Sequence, residues 1–94
     1  MKILAIEKEL TGVTDKDYQP YLEAEALKAW ELYQQGLIRE LYFNEDHCAV
    51  LVLEAQDKLH ARQIIDQLPL VQHKLIDFDL MVLSAYPGFA RLFK

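Results

Sequence analysis

Four stretches of this chain carry apolar residues with the spacing of β-strands, and two longer ones repeat them every three or four positions as helices do. The strand-like stretches are Lys2 to Lys8, Leu37 to Asn44, His47 to Glu54 and Leu75 to Leu83. After the Thr11-Gly12-Val13-Thr14-Asp15 loop, where Thr14 or Asp15 can accept hydrogen bonds from free helix amides, a helix is expected to begin near Pro20. It runs to Gln35 and stops at Gly36. Tyr18, Leu22, Glu25, Ala26, Ala29 and Tyr33 share one of its faces, with Leu32 beside them. A second helix is expected over Gln56 to Leu68, with Ala61, Ile64, Ile65 and Leu68 on its apolar side and Pro69 ending it. Asn44-Glu45-Asp46 is short enough to make strands two and three a hairpin. The order βαββαβ is the split βαβ arrangement, an α+β fold whose four-stranded antiparallel sheet has both helices on one face.

The third strand, with Ala49-Val50-Leu51-Val52-Leu53 at its heart, is apolar on both faces, and so is the second half of the fourth, Leu80-Met81-Val82-Leu83. Two helices cover only one face, so the other must meet a partner or enclose a ligand. A second copy placed face to face would bury both excess surfaces in an isologous, barrel-like homodimer, whose inter-sheet space is either a solid core or a pocket. Residues 85 to 94 form a tail beyond the fold, carrying Tyr86, Phe89, Leu92 and Phe93. Burying two Phe side chains is worth roughly 3 to 6 kcal/mol, so this segment is expected to dock on its own subunit or a neighbour. Trp30 and Leu27 lie off the main helical stripe and suggest a further contact between subunits.

Composition narrows the function classes. The 94 residues contain no Gly/Ser/Pro-rich divider and read as a single domain, 1–94. Fifteen acidic against ten basic residues give a net charge of -5 with no basic run, which argues against a nucleic-acid surface. No apolar run reaches the roughly 18 residues of a membrane span, and the lone Cys48 fits a soluble, reducing, cytoplasmic setting. His47, His60 and His73 lack metal-ligand spacing, so no metal site is expected, and Cys48 reads as a small buried hydrophobe beside Val50 and Val52.

Five polar residues stand out. Glu25 sits inside an apolar stripe, where burial would raise its pKa toward a value useful for proton transfer; the alternative is an ion pair with Arg39 or Lys28. Glu7 shares a strand face with Ile3 and Ala5, and reads either as a ligand contact beside a small residue or as a solvated strand end. Arg39 either anchors a substrate carboxylate or pairs with a structural Glu. His47 stands at the mouth of the third strand, as a proton relay or as a turn residue capped by Asp46. Tyr42 and Asp79 could point into a barrel, depending on register.

At Gly36-Leu37-Ile38-Arg39-Glu40-Leu41, His47 and Gln67-Leu68-Pro69-Leu70, with Tyr86-Pro87 after the last strand, the chain resembles the muconolactone isomerases of the dimeric α+β barrel superfamily. The resemblance implies a ferredoxin-like protomer, homodimers that often build larger rings, no cofactor, and proton transfer within an unsaturated lactone. It also places a family Glu at the position of Glu25. Where that family has His and Lys on the first strand, this chain has Ala5 and Glu7, and so lacks a cation for a carboxylate-bearing lactone. Two function classes follow. One is a cofactor-independent isomerase for a lactone-like or small anionic molecule, with Glu25 and His47 moving protons and Glu7, Arg39 and Tyr42 binding substrate. The other is a noncatalytic assembly or ligand-binding module.

Overall fold

The computed structural model describes residues 1–93. Its sheet is built from β1 (Lys2–Glu9), β2 (Ile38–Phe43), β3 (Ala49–Glu54) and β4 (Ile76–Leu83), in the order β2-β3-β1-β4. Every neighbouring pair is antiparallel, as the split βαβ order requires. Register places Ile3 opposite Leu53 and Val82, and Glu7 opposite Phe78. The four strands thereby divide their side chains between two faces.

One face is covered. Ile3, Ala5, Leu51, Leu53, Ile76 and Phe78 project from it into the core. There they meet Leu32 of α2 (Leu22–Gln34) and Ala61, Ile64 and Ile65 of α3 (Lys58–Ile65). The other face is open: Leu4, Ile6, Val50 and Val52 are half-buried, and Met81 and Leu83 are exposed. The strands that read as apolar on both sides are so in three dimensions.

The helical regions are more broken than their periodicity suggests. A short helix α1 (Asp15–Tyr18) and a 3₁₀ turn over Gln19–Tyr21 precede α2. Thr14 begins α1, its backbone N–H donating to Asp17 Oδ2 at 2.8 Å. Leu32 is the one fully buried residue of α2, whereas Leu22 and Tyr33 on the predicted stripe stay exposed. The second helix begins later than expected, because Asp57 serves as its cap and accepts from the His60 N–H at 2.7 Å. Pro69 does not simply end a helix at Leu68: α3 stops at Ile65, and Pro69 opens a further one-turn helix, α4 (Pro69–Gln72), where its missing N–H costs nothing.

Beyond β4 the chain does not return to the body. A 3₁₀ segment, Gly88–Phe93, projects from it, and the molecule measures 58 × 27 × 21 Å. Its radius of gyration of 15.3 Å exceeds the ~12 Å of a compact chain of this length. The tail, expected to bury its aromatic residues, does not do so on its own subunit. No helix among the described residues is long and apolar enough to cross a membrane.

Candidate functional site

A cavity of about 390 Å³ opens between the N-terminal half of α2 and the covered face of the sheet. A pocket between two facing sheets was one of two expectations for the open face; this cavity is a different one, within one subunit. The cause is local. The C-terminal half of α2 packs down through Leu32 against Ile38 and the core. Towards its N-terminus the residues facing the sheet shrink to Ala29 and Ala26, and the space beneath them stays unfilled. On the sheet side a bulge between Ile38 and Glu40 shifts the β2 register at Arg39. Past the bulge, Leu41 and Phe43 face the covered side opposite Leu51 and Ala49, yet remain exposed. Leu22, Leu41 and Phe43 make the mouth; Leu51, Leu68, Ile76 and Phe78 make the floor and walls.

Two carboxylates enter this apolar space. Glu25 Oε1 accepts the Leu70 N–H at 2.9 Å, and Glu7 Oε1 accepts the Ala49 N–H at 2.9 Å. Both donors belong to chain starts that would otherwise hold a free N–H: Leu70 lies in the first turn of α4, and Ala49 begins β3. The second oxygen of each carboxyl has no protein partner among the described residues. Burial pushes the Glu25 carboxyl above the usual carboxylate range; the Leu70 N–H opposes the rise and the Glu7 charge adds to it. Glu7 is raised as well, by burial first, against the Ala49 N–H and with the help of Glu9. Among the described residues no Lys, Arg or His lines the cavity.

The ion-pair alternative for Glu25 does not form, since Lys28 pairs with Glu31 at 3.0 Å. Nor is Glu7 a solvated strand end; it is half-buried beneath α2. The other three candidates are not brought to the same place. His47 is exposed in the 44–48 turn, in a left-handed conformation with φ 60, and is absent from the cavity lining. That turn is held by Asn44 Oδ1, which accepts the N–H groups of Asp46 and Cys48 at 2.9 and 3.0 Å, and not by a cap from Asp46 to His47. Arg39 is exposed at the bulge and away from the cavity. Tyr42 borders the mouth, but its hydroxyl donates to Glu40 Oε1 at 2.9 Å on the open face. Asp79 also lies on the open face, paired with Lys8 at 3.2 Å.

The residues missed in the sequence are the apolar ones that shape the site. Leu41 and Phe43 alternate with Arg39 only if β2 is regular, and the bulge reverses that phase. Leu70 gave no sign of being a donor until Pro69 was seen to start a helix. Cys48 is half-buried on the open face. No group of three metal-ligating side chains occurs among the described residues. Neither protein-family models nor curated proteins match this chain.

Proposed function

We propose that the protein is a homodimeric, cofactor-independent isomerase that moves a proton within a small, mainly apolar molecule, with Glu25 and Glu7 as the transferring pair. The observation that carries this reading is the arrival of two carboxyls in one apolar cavity, each tied through one oxygen to a backbone N–H and each raised by burial. Environments that hold one carboxyl ionised and its neighbour protonated divide the roles of base and acid. One carboxyl of the pair, as carboxylate, takes a proton from carbon next to a carbonyl, and the electron pair enters the conjugated system. The other, as carboxylic acid, delivers a proton at the far carbon, so the double bond shifts and no oxidant is consumed.

The lining also narrows the substrate. With two acidic side chains and no cation among the described residues that line it, the cavity disfavours an anion and favours an uncharged lactone, ester or ketone. A volume of about 390 Å³ suits a small ligand. The likeness to muconolactone isomerases supports the reaction class, and the change to Ala5 and Glu7 on the first strand supports a different substrate charge. His47 and Arg39 have no part in the proposed step.

The open sheet face supports the homodimer. Its centre is apolar and its ends carry both signs, Lys2 with Glu54 at one end and Lys8 with Asp79 at the other, a pattern that suits a two-fold copy. That face is equally compatible with the second reading, a noncatalytic assembly or ligand-binding module. Proton exchange separates them. Uncharged unsaturated lactones and ketones incubated in D₂O with the protein should exchange the hydrogen next to the carbonyl, followed by NMR. Glu25→Gln should slow that exchange by about 10²- to 10⁴-fold. Equal exchange with both proteins, or none above buffer with any compound that shifts the melting temperature, rejects the isomerase.

A further inference from the structure

We infer that the cavity between α2 and the sheet binds a lipophilic primary amine, whose ammonium group bridges the unused oxygens of Glu7 and Glu25 and so arrests proton transfer at the pair. The arrest rests on the isomerase reading of that cavity; the binding does not. The site combines an apolar chamber with an anionic centre. Its volume of about 390 Å³ admits a ring with a short alkyl arm, and Leu51, Leu68 and Ile76 offer that body only hydrocarbon to touch. Glu7 and Glu25 each spend one oxygen on a backbone N–H at 2.9 Å, that of Ala49 and that of Leu70. The other oxygen of each has no protein donor among the described residues. An ammonium carries three N–H donors and a positive charge, and so matches two such oxygens as neither a hydroxyl nor a ketone does.

The nearby cations of the protein are engaged elsewhere. Lys8 is held by Asp79 on the open face at 3.2 Å, Lys28 by Glu31 at 3.0 Å, and Arg62 by Asp66 and Asp77 at the β4 edge. His73 stacks on Tyr21 with ring centroids 4.1 Å apart, outside the cavity lining, and His47 stands exposed in the 44–48 turn. What surrounds the pair is negative. Glu9 acts on Glu7 from the end of β1, and the Tyr18 hydroxyl, pushed up by burial first, also feels Glu7, Glu9, Asp15 and Asp17. Carboxylates taken from water without a counter-ion are costly, and an entering cation relieves that cost. The rings of Tyr42, Phe43 and Phe78 line the same cavity and add the attraction of aromatic faces for an organic cation.

The proton balance gives the effect on the reaction. In the proposed transfer one carboxyl is ionised and the other holds a proton. An ammonium holds both as carboxylates, the displaced proton leaves to solvent, and no acid remains to protonate the far carbon. Burial raises both carboxyls, so in the free protein they become charged only as pH rises through the folded values. An alkylamine stays cationic across that range. Amine affinity therefore climbs from pH 4 to pH 7, and that of an uncharged molecule of the same shape does not.

Three probes with one body test this in the full-length chain: 4-phenylbutylamine, 4-phenylbutanol and 4-phenylbutanoate, titrated by isothermal calorimetry in about 0.15 M salt. At pH 7 the amine should bind once per chain, about tenfold or more tighter than the alcohol, with the carboxylate weakest. It should lose that advantage at pH 4. Glu7→Gln and Glu25→Gln should each weaken the amine about tenfold and leave the alcohol nearly unchanged, whereas Ala26→Leu, which fills the cavity, should weaken both. An alcohol that binds the unsubstituted protein as tightly as the amine overturns the inference without recourse to any variant. So does amine binding indifferent to both Gln substitutions, to Ala26→Leu, or to pH. Amine preference without proton exchange in any ketone or lactone rejects the isomerase and leaves the amine site standing. Exchange that depends on Glu25 yet continues at saturating amine rejects the arrest and leaves the isomerase standing.

Discussion

The two faces of the sheet are made of the same residue types and meet different fates. Leu53 and Val52 are adjacent in β3; Leu53 is fully buried beneath the helices, and Val52 looks out from the open face. Hydrophobicity therefore does not say which side becomes core; the crossovers that carry α2 and α3 to one side do. The comparison extends to the polar residues. On the open face Asp79 meets Lys8 and stays in water, where an ion pair contributes little. On the covered face Glu7 and Glu25 have no cationic partner among the described residues, only one backbone N–H each. Carboxyls held in that way are poorly solvated, which costs stability and keeps them protonated to higher pH than an exposed carboxyl.

The sharpest test of the difference between faces is a truncation on each. Leu53→Ala should destabilise the fold by about 2 to 5 kcal/mol at every protein concentration in urea unfolding. Val52→Ala should cost less than about 1 kcal/mol in dilute protein, and more as concentration rises and the faces pair. Equal, concentration-independent losses would erase the distinction. Next in size is Val50→Lys, which places a charge in the centre of the open face. On the proposed pairing of open faces it should halve the particle mass by light scattering while leaving the far-UV circular dichroism unchanged; an unaltered mass would remove that face from the proposed dimer.

Glu25 gives a pH-dependent test of the covered face. Its folded pKa lies above its unfolded one, so the folded state binds the extra proton. Its burdening effect is absent below the unfolded value and develops as pH rises through the folded one. Glu25→Gln retains an acceptor for the Leu70 N–H, so it should raise the melting temperature at pH 7 and lose that advantage toward pH 4. A constant difference across that range would mean that the carboxyl is not desolvated.

The smallest effect belongs to the β4 edge. Arg62 donates to Asp77 Oδ1 at 2.7 Å and to Asp66 Oδ1 at 3.0 Å. Burial pushes Asp77 upward, but the Phe78 N–H and the Arg62 guanidinium outweigh it and hold the carboxyl below its usual range. Stability from this contact is present above the unfolded pKa and is lost as pH falls through the folded one. Arg62→Ala should cost up to about 1 kcal/mol at pH 7 and less in acid, as read from thermal melts.

Much of this was legible in the chain. The βαββαβ order, the hairpin at Asn44 and the two-sided apolar strands follow from period, turn residues and the limited number of helices. Glu25 was legible in part, because a carboxylate inside an apolar helical stripe is either buried or ion-paired, and Glu7 less so, because a face shared with Ile3 and Ala5 suits a solvated strand end as well. His47 and Arg39 were legible only as residue types. Their placement depends on a left-handed turn and a one-residue bulge, which leave no periodic trace.

The sequence by itself determined the element order and the excess of apolar surface, since both are encoded in local spacing and composition. The tertiary structure decided which face the helices cover, where α2 lifts from the sheet, and that Glu7 and Glu25, eighteen positions apart, share one cavity. Those outcomes come from packing small Ala26 and Ala29 over a bulged strand, a matter of volume and register in three dimensions that no local pattern records.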